Sequence, residues 1–380
     1  MLFTREEYDA RLAAVRRGMA ERDVELCLLS SPENIFYLTG LDHWGYFAPH
    51  LLLVPAEGGL VLVTRAMERV TVANQVANAR FVGHSDSETA ADGALRAIAE
   101  AAMPAARIGL EAWSAGLPHG LAGALERGLP KARWADVSWL VDDLRMTKSR
   151  AEQACMREAA RVSDATAAAV IEAIGAGVSE RHVAARACAA MIEAGGTYPG
   201  FGPFIRPAAR LGEEHTSWGD GRFAAGEPVF LELSGCVARY HAPLGRLIHV
   251  GEAPPEARVV AAVCRDAFAA VLEALRPGAS ARDVYAAWQA VVDRAGLGHY
   301  RRHHCGYVVG IGHPPSWTGG NRVVGLRHDS GLEIRTGMSF HVLSWLMETG
   351  RGDFFVSDTV LLGPTGPEVL TRTPAEVTVR

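Results

Sequence analysis

Apolar positions recur at helical spacing over residues 5–22, and the apolar run Val24 to Leu29 that follows has the length of a strand. It closes at Ser30-Ser31-Pro32-Glu33-Asn34, so the pattern predicts an amphipathic helix, a strand and then a loop. Leu51-Leu52-Leu53-Val54 and Leu60-Val61-Leu62-Val63 flank Pro55-Ala56-Glu57-Gly58-Gly59, two apolar runs around turn formers, which is a hairpin pattern. Arg107-Ile108-Gly109-Leu110-Glu111 reads as another short strand, and residues 115–127 as a helix. Helix and strand alternate in this way as in an α/β domain.

At Asp142-Asp143-Leu144-Arg145-Met146-Thr147-Lys148-Ser149 the apolar pattern pauses, and an Ala-rich helical stretch starts at about Ala151. Two domains are therefore expected, residues 1–145 and 146–380, as suits a chain longer than one hydrophobic core usually supports. The helical stretch breaks at Gly175-Ala176-Gly177-Val178-Ser179, resumes from Arg181 to Glu193 and stops at Gly195-Gly196.

The second domain contains an internal repeat. Without a gap, Ile171 to Gly195 aligns with Leu272 to Gly296, pairing Glu172 with Glu273, Gly177 with Gly278, Ser179 with Ser280, Arg181 with Arg282 and Gly195 with Gly296. Each copy predicts a helix, a Gly-x-Ser turn whose serine caps the next helix, and that second helix. Strands follow each copy: Gly226-Glu227-Pro228-Val229-Phe230-Leu231-Glu232 matches Gly337-Met338-Ser339-Phe340-His341-Val342-Leu343. The expected architecture is two similar halves with a cleft between their sheets.

Composition narrows the function. The chain has 380 residues, 49% hydrophobic and 21% charged, with a formal net charge of -5. That balance argues against a nucleic-acid surface, which needs clustered Lys and Arg, and in favour of a small-molecule or peptide partner. Met1-Leu2-Phe3-Thr4-Arg5-Glu6-Glu7-Tyr8 is acidic where a secretory signal is cationic and then apolar, and no run reaches the roughly 18 apolar residues of a membrane span. A cytoplasmic, membrane-free protein is expected. The six cysteines, Cys27, Cys155, Cys188, Cys236, Cys264 and Cys305, form no C-x-x-C pair and read as reduced thiols.

Among titratable residues, Glu232 interrupts the apolar context Val229-Phe230-Leu231 and Leu233, so its carboxyl must face a polar cleft or meet a cation. His215 lies in Glu213-Glu214-His215-Thr216-Ser217-Trp218, just upstream of that strand. An imidazole suits proton transfer near neutrality, although a loop histidine also occurs as a surface group.

Taken together, Lys148-Ser149-x-x-Glu152 to Ala160, the strands over 226–251, the segment 304–361 and Asn34-x-x-Tyr37-Leu38-Thr39-Gly40 resemble the creatinase, prolidase and methionine aminopeptidase family. The resemblance implies an α/β N-terminal domain followed by a duplicated α+β pita-bread catalytic domain. Metallated members hold two divalent ions with two Asp, one His and two Glu. By motif those positions fall here on Glu232, Pro243, Tyr307, Leu343 and Ser357, of which only Glu232 is an ordinary ligand, so no metal and no other cofactor is expected. His303, His304, His313 and His341 have no recognised ligand spacing.

Within the family the chain looks most like the metal-free branch. The spacing of His215 to Gly226 resembles that of the creatinase catalytic histidine. Leu231 to Leu244, Gly306-Tyr307-Val308-Val309-Gly310-Ile311-Gly312, Pro314-Pro315-Ser316-Trp317 and Asp42-His43-Trp44-Gly45-Tyr46-Phe47 look like ectoine hydrolases. The resemblance implies a homodimer that hydrolyses a carbon–nitrogen bond of an amidine or guanidine, with His215 and Glu232 catalytic. Trp44, Tyr240, His241, Tyr307, Trp317 and His341 would bind substrate. An Xaa-Pro dipeptidase-like metallopeptidase and a catalytically inert pita-bread binding protein are the alternatives.

Overall fold

The computed structural model describes residues 2–100, 107–320 and 322–380. The chain forms two compact units, Met1–Arg145 and Met146–Arg380. No helix among the described residues is long and apolar enough to cross a membrane.

The first unit is a six-stranded mixed sheet. Its strands are β1 (Leu26–Leu29), β2 (Leu51–Pro55), β3 (Leu60–Arg65), β4 (Ala79–His84), β5 (Arg107–Leu110) and β6 (Arg133–Asp136), in the spatial order β4-β3-β2-β1-β5-β6. The predicted hairpin is the antiparallel pair β2 and β3, and the predicted first helix runs Arg5–Glu21, capped by the Thr4 hydroxyl on the Glu7 amide. One expectation fails. The loop predicted after β1 is instead a helix, Pro32–Thr39, with proline at its start and Gly40 at φ 77° closing its end. A distant residue holds its entrance: the buried Glu111 carboxylate accepts from the Ser30 amide at 2.5 Å and the Ser31 amide at 2.8 Å, and from the Asn34 side chain at 2.5 Å.

The second unit is built on one eight-stranded sheet of β7 (Phe204–Pro207), β8 (Pro228–Val237), β9 (Tyr240–His249), β10 (Gly306–Val308), β11 (Ser339–Leu346), β12 (Phe354–Gly363), β13 (Gly366–Val369) and β14 (Thr378–Val379). The main path is β10-β11-β12-β9-β8-β7, with β13 on β12 and β14 on β9. This corrects the expectation of two separate sheets. The halves join where β9 pairs with β12, a junction registered only as Val356↔Arg246 and Ser357↔Gly245. Nothing in the local sequence marks so short a seam.

Duplication of the halves is real at the level of single backbone bonds. Gly177 (φ 79°) and Gly278 (φ 86°) each donate an amide, to Phe223 and Ile334 carbonyls respectively, both at 2.8 Å. Ser179 and Ser280 each cap the following helix, Glu180–Glu193 or Ala281–Val292, through their hydroxyls at 3.2 Å. Gly226 and Gly337, at φ 85° and 90°, open β8 and β11 and donate to Val250 and Leu362, both at 2.7 Å. Each helix pair covers its own half of the sheet: Val183, Ala184 and Ala187 pack with Val229, Leu231 and Leu244, while Val284, Trp288 and Val292 pack with Phe340, Val342 and Val356. Burial of such side chains stabilises by roughly 1.5–3 kcal/mol each relative to exposure.

Candidate active site

The face of this sheet opposite the helix pairs carries the chemistry. Residues opposite one another on paired strands share a face, and a two-residue step along a strand returns to it. The register runs Phe204↔Glu232, Glu232↔Gly245, Gly245↔Ser357 and Ser357↔Leu343, so one rank of side chains crosses five strands. Two residues further along each strand, Ser234↔Pro243 and Thr359↔His341 belong to the same face, and His341 is in turn opposite Tyr307. Gly245 leaves the room this rank needs, since a Cβ there would stand 2.2 Å from Phe355 Cε1 and 2.8 Å from Ser357 Oγ.

A hydrogen-bonded relay occupies the second-half end of this face. Trp317 Nε1 donates to the Tyr307 hydroxyl at 3.0 Å, and an indole N–H can only donate, so the phenol oxygen accepts there. His341 Nδ1 lies 2.9 Å from the same hydroxyl, and His341 Nε2 lies 2.7 Å from Ser357 Oγ. His341 is fully buried, and burial holds its pKa well below the ordinary histidine value, so the ring is neutral and donates at one nitrogen while accepting at the other. Its Nε2 is also 3.8 Å from Glu232 Oε1.

Glu232, on β8 and 9% exposed, is the carboxyl at the other end. Burial, reinforced by the charge of Glu214, pushes its pKa up to about 8, against the opposing pull of Arg206 and Arg302. It is therefore mostly a neutral acid at pH 7 and becomes a carboxylate when a positive charge arrives. Arg206 shares its face two residues after Phe204; its guanidinium lies 4.1 Å over the Phe230 ring and donates to the Glu213 carbonyl. Arg302 bonds Glu214 at 3.3 Å and lies 4.3 Å over Trp345.

His215 sits on the exposed loop between β7 and β8 at φ 55°, a region uncommon for residues other than glycine and frequent at functional sites. Its ring stacks on Phe201 at 5.9 Å and meets Phe204 edge-on at 6.2 Å. Phe204 is the strand partner of Glu232, and both phenylalanines touch Trp317, at 4.7 and 5.6 Å between centroids. A continuous chain of contacts thus connects His215, Phe204, Trp317, Tyr307, His341 and Glu232.

Three sequence-predicted site residues stand outside that chain. Tyr240 is fully buried and donates to Glu152 Oε1 at 2.7 Å. His241 Nδ1–H donates to the Arg239 carbonyl at 2.9 Å and Nε2 accepts from the Gly200 amide at 2.8 Å, while burial takes its pKa down to about 3. Nε2 is thereby spent on the loop that leads into Phe201, and Nδ1 on the turn between β8 and β9. Trp44 lies in the first unit on the single turn Trp44–Phe47 and is 64% exposed. Conversely, Phe201, Phe204, Arg206, Glu214 and Arg302 were not singled out from sequence. Only the two phenylalanines gave a signal, as aromatics in the Gly- and Pro-rich segment Gly200-Phe201-Gly202-Pro203-Phe204.

Residues 154–364 match metallopeptidase family M24, and residues 11–147 match the creatinase/prolidase N-terminal domain. The chain belongs to family M24. Full-length relatives include an uncharacterized hydrolase/peptidase of Sinorhizobium fredii and the ectoine hydrolase of Halomonas elongata, each 28% identical over 100% of this chain and 98% of its own length. Among solved structures, the Xaa-Pro dipeptidase from Bacillus anthracis superposes with a TM-score of 0.85 at 20% identity, covering 98% of this chain and 100% of that one, which speaks to the pita-bread fold.

An M24 fold implies a metal centre, and the residues here do not fit one. Of the five positions that resemble the family's ligands, Pro243 and Leu343 have no donor atom, while the Tyr307 and Ser357 hydroxyls are already engaged with His341. Among the described residues no group of three or more His, Cys, Asp or Glu side chains could hold an ion. Two hydrogen-bonded hydroxyls and a neutral imidazole stand where paired cations would need negative charge.

Proposed function

We propose that this chain is a metal-independent hydrolase that opens a carbon–nitrogen bond of a small amidinium compound, in the manner of ectoine ring opening to an N-acetyl diaminobutyrate. The observation that carries the reading is Glu232: a lone buried carboxyl with a pKa near 8, beside a neutral relay and within an aromatic cluster. A buried acid of this kind is poised to exchange its proton for an organic cation. The full-length likeness to an ectoine hydrolase points to a cyclic amidine.

On this reading Glu232 engages the amidinium and His215, at the exposed edge of the cluster, takes a proton from water as its oxygen attacks the amidine carbon. The tetrahedral carbon collapses with rupture of one ring C–N bond, and His215 returns the proton to the departing nitrogen. Water's oxygen ends as the amide carbonyl and its two hydrogens end on nitrogen. Glu232 either anchors the cation or attacks the carbon itself, and a covalent adduct on Glu232 caught by mass spectrometry would assign it the second role.

The test is incubation of chelator-treated protein with ectoine, hydroxyectoine and creatine, followed by mass spectrometry for a gain of one water. Turnover is expected to survive chelation and to fall at least about 100-fold in His215→Ala. Loss of activity on chelation, with Xaa-Pro dipeptide hydrolysis on adding back a divalent ion, would replace this reading by a peptidase. No turnover together with tight peptide binding would replace it by an inert binding protein.

A further inference from the structure

A cleft of about 790 Å³ opens on the second unit, with Glu214, Arg302 and Trp345 in its wall. Two arginines line it. Arg301 is exposed and committed to Asp293 at 2.8 Å. Arg302 differs in every respect that matters for binding. Its side chain is 21% exposed and its guanidinium lies 4.3 Å over the Trp345 ring, which packs 5.2 Å from Phe230, two residues before Glu232 on β8. Among the described residues its ion-pair partner is Glu214, half-exposed and 3.3 Å away, a pair of the weak kind found at surfaces.

We propose that Arg302 is the binding residue for a carboxylate on the substrate, which displaces Glu214 from the guanidinium. Contact with Trp345 holds the guanidinium in place before the ligand arrives, so less side-chain freedom is lost when a carboxylate docks. Glu214, the residue before His215, acts as an internal stand-in that keeps the guanidinium oriented in the free protein. With Glu232 taking positive charge and Arg302 taking negative charge, the site reads a zwitterion that carries both an amidinium and a carboxylate. This rests on the reading of Glu232 as the cation site.

The experiment compares a cyclic amidine bearing a ring carboxylate with the same amidine as its methyl amide, using wild type, Arg302→Gln, Arg302→Lys and Glu214→Gln. Wild type is expected to favour the carboxylate by about 10- to 100-fold in KM, the range of a charge-assisted pair. Arg302→Gln should erase the preference, with the loss falling on KM rather than kcat, and Arg302→Lys should keep part of it. Glu214→Gln, which removes the competitor, should tighten the carboxylate form about two- to fivefold. A preference that survives in Arg302→Gln overturns the assignment while leaving the hydrolase reading intact. Turnover of neither compound by wild type overturns the hydrolase reading, and calorimetric binding of the two amidines then judges Arg302 alone: equal affinities, or none, overturn it, and a carboxylate preference lost in Arg302→Gln upholds it.

Discussion

The two halves of the catalytic unit share their scaffold and divide their chemistry. In each, a glycine at positive φ, a serine cap and a strand-opening glycine are fixed by the same backbone bonds: Gly177 with Gly278, Ser179 with Ser280, Gly226 with Gly337. Yet the strands that follow carry opposite kinds of residue. The first half brings titratable groups, Glu232 on β8 and His215 on a loop at φ 55°, with Arg206 and Glu214 beside them. Against this, the second half brings Tyr307, His341 and Ser357, neutral and hydrogen-bonded to one another. Duplication therefore constrains what the backbone must do and leaves the inward-facing side chains to diverge. On the inward-facing strand positions the ionisable carboxyl lies on the first-half side of the β9–β12 seam and the hydrogen-bonded neutral groups on the other, while Arg302 brings charge to the second half from a loop.

That contrast is broken most directly by one substitution in each half. Glu232→Gln keeps the shape and removes the ionisable group, so amidinium affinity should fall by about 10- to 100-fold in calorimetric titration, the range of a lost charge-assisted pair, while the fold persists. Tyr307→Phe removes a hydroxyl that two buried partners use, leaving Trp317 Nε1 and His341 Nδ1 without it. Its cost should fall on stability, about 1–3 kcal/mol per orphaned group in denaturant unfolding, with a much smaller effect on affinity. If Tyr307→Phe abolishes ligand binding in a folded protein, the division of labour between the halves is wrong.

Protonation of Glu232 sharpens the same comparison. With its pKa near 8, the carboxyl must lose a proton before it can pair with a cation, so apparent affinity should rise about tenfold per pH unit up to pH 8 and level off above it. Stability should move the other way. The folded protein holds this proton more tightly than the unfolded chain, whose carboxyl titrates near 4.5, so wild type should lose stability relative to Glu232→Gln as pH rises from about 5 to 8. Parallel unfolding curves for the two proteins across that window would show that Glu232 titrates like an ordinary carboxyl.

Features set by local backbone demands were legible in the sequence, and features set by distant partners were not. The repeat could be read because Gly177 and Gly278 occupy a conformation that glycine favours, and because Ser179 and Ser280 are caps with a fixed offset. The helix Pro32–Thr39 was missed although its proline and glycine were in view, because the carboxylate that holds its entrance comes from Glu111, 81 positions on from Ser30. Glu232 stood out as a charge in an apolar strand. Histidine 341 was visible as a candidate, but its place between Tyr307 and Ser357 depends on cross-strand register that no local pattern encodes. Nothing in Arg301-Arg302-His303-His304 separates Arg302 from its neighbour Arg301; the Trp345 ring 4.3 Å from its guanidinium does.

The smallest expected effect tests the symmetry itself. Gly177 and Gly278 have nothing within 4 Å of the Cβ that alanine would add, so Gly177→Ala and Gly278→Ala differ from wild type only in backbone preference. The amide bonds to Phe223 and Ile334 hold both residues at positive φ, and an L side chain there costs about 1–2 kcal/mol. Each variant should therefore lose that amount in urea unfolding, and the two losses should agree within about 0.5 kcal/mol. The sites lie in different halves and share no partner, so the double variant should show their sum. Unequal losses would mean that one turn relaxes and the other does not, which would confine the symmetry of the halves to geometry and deny it to energetics.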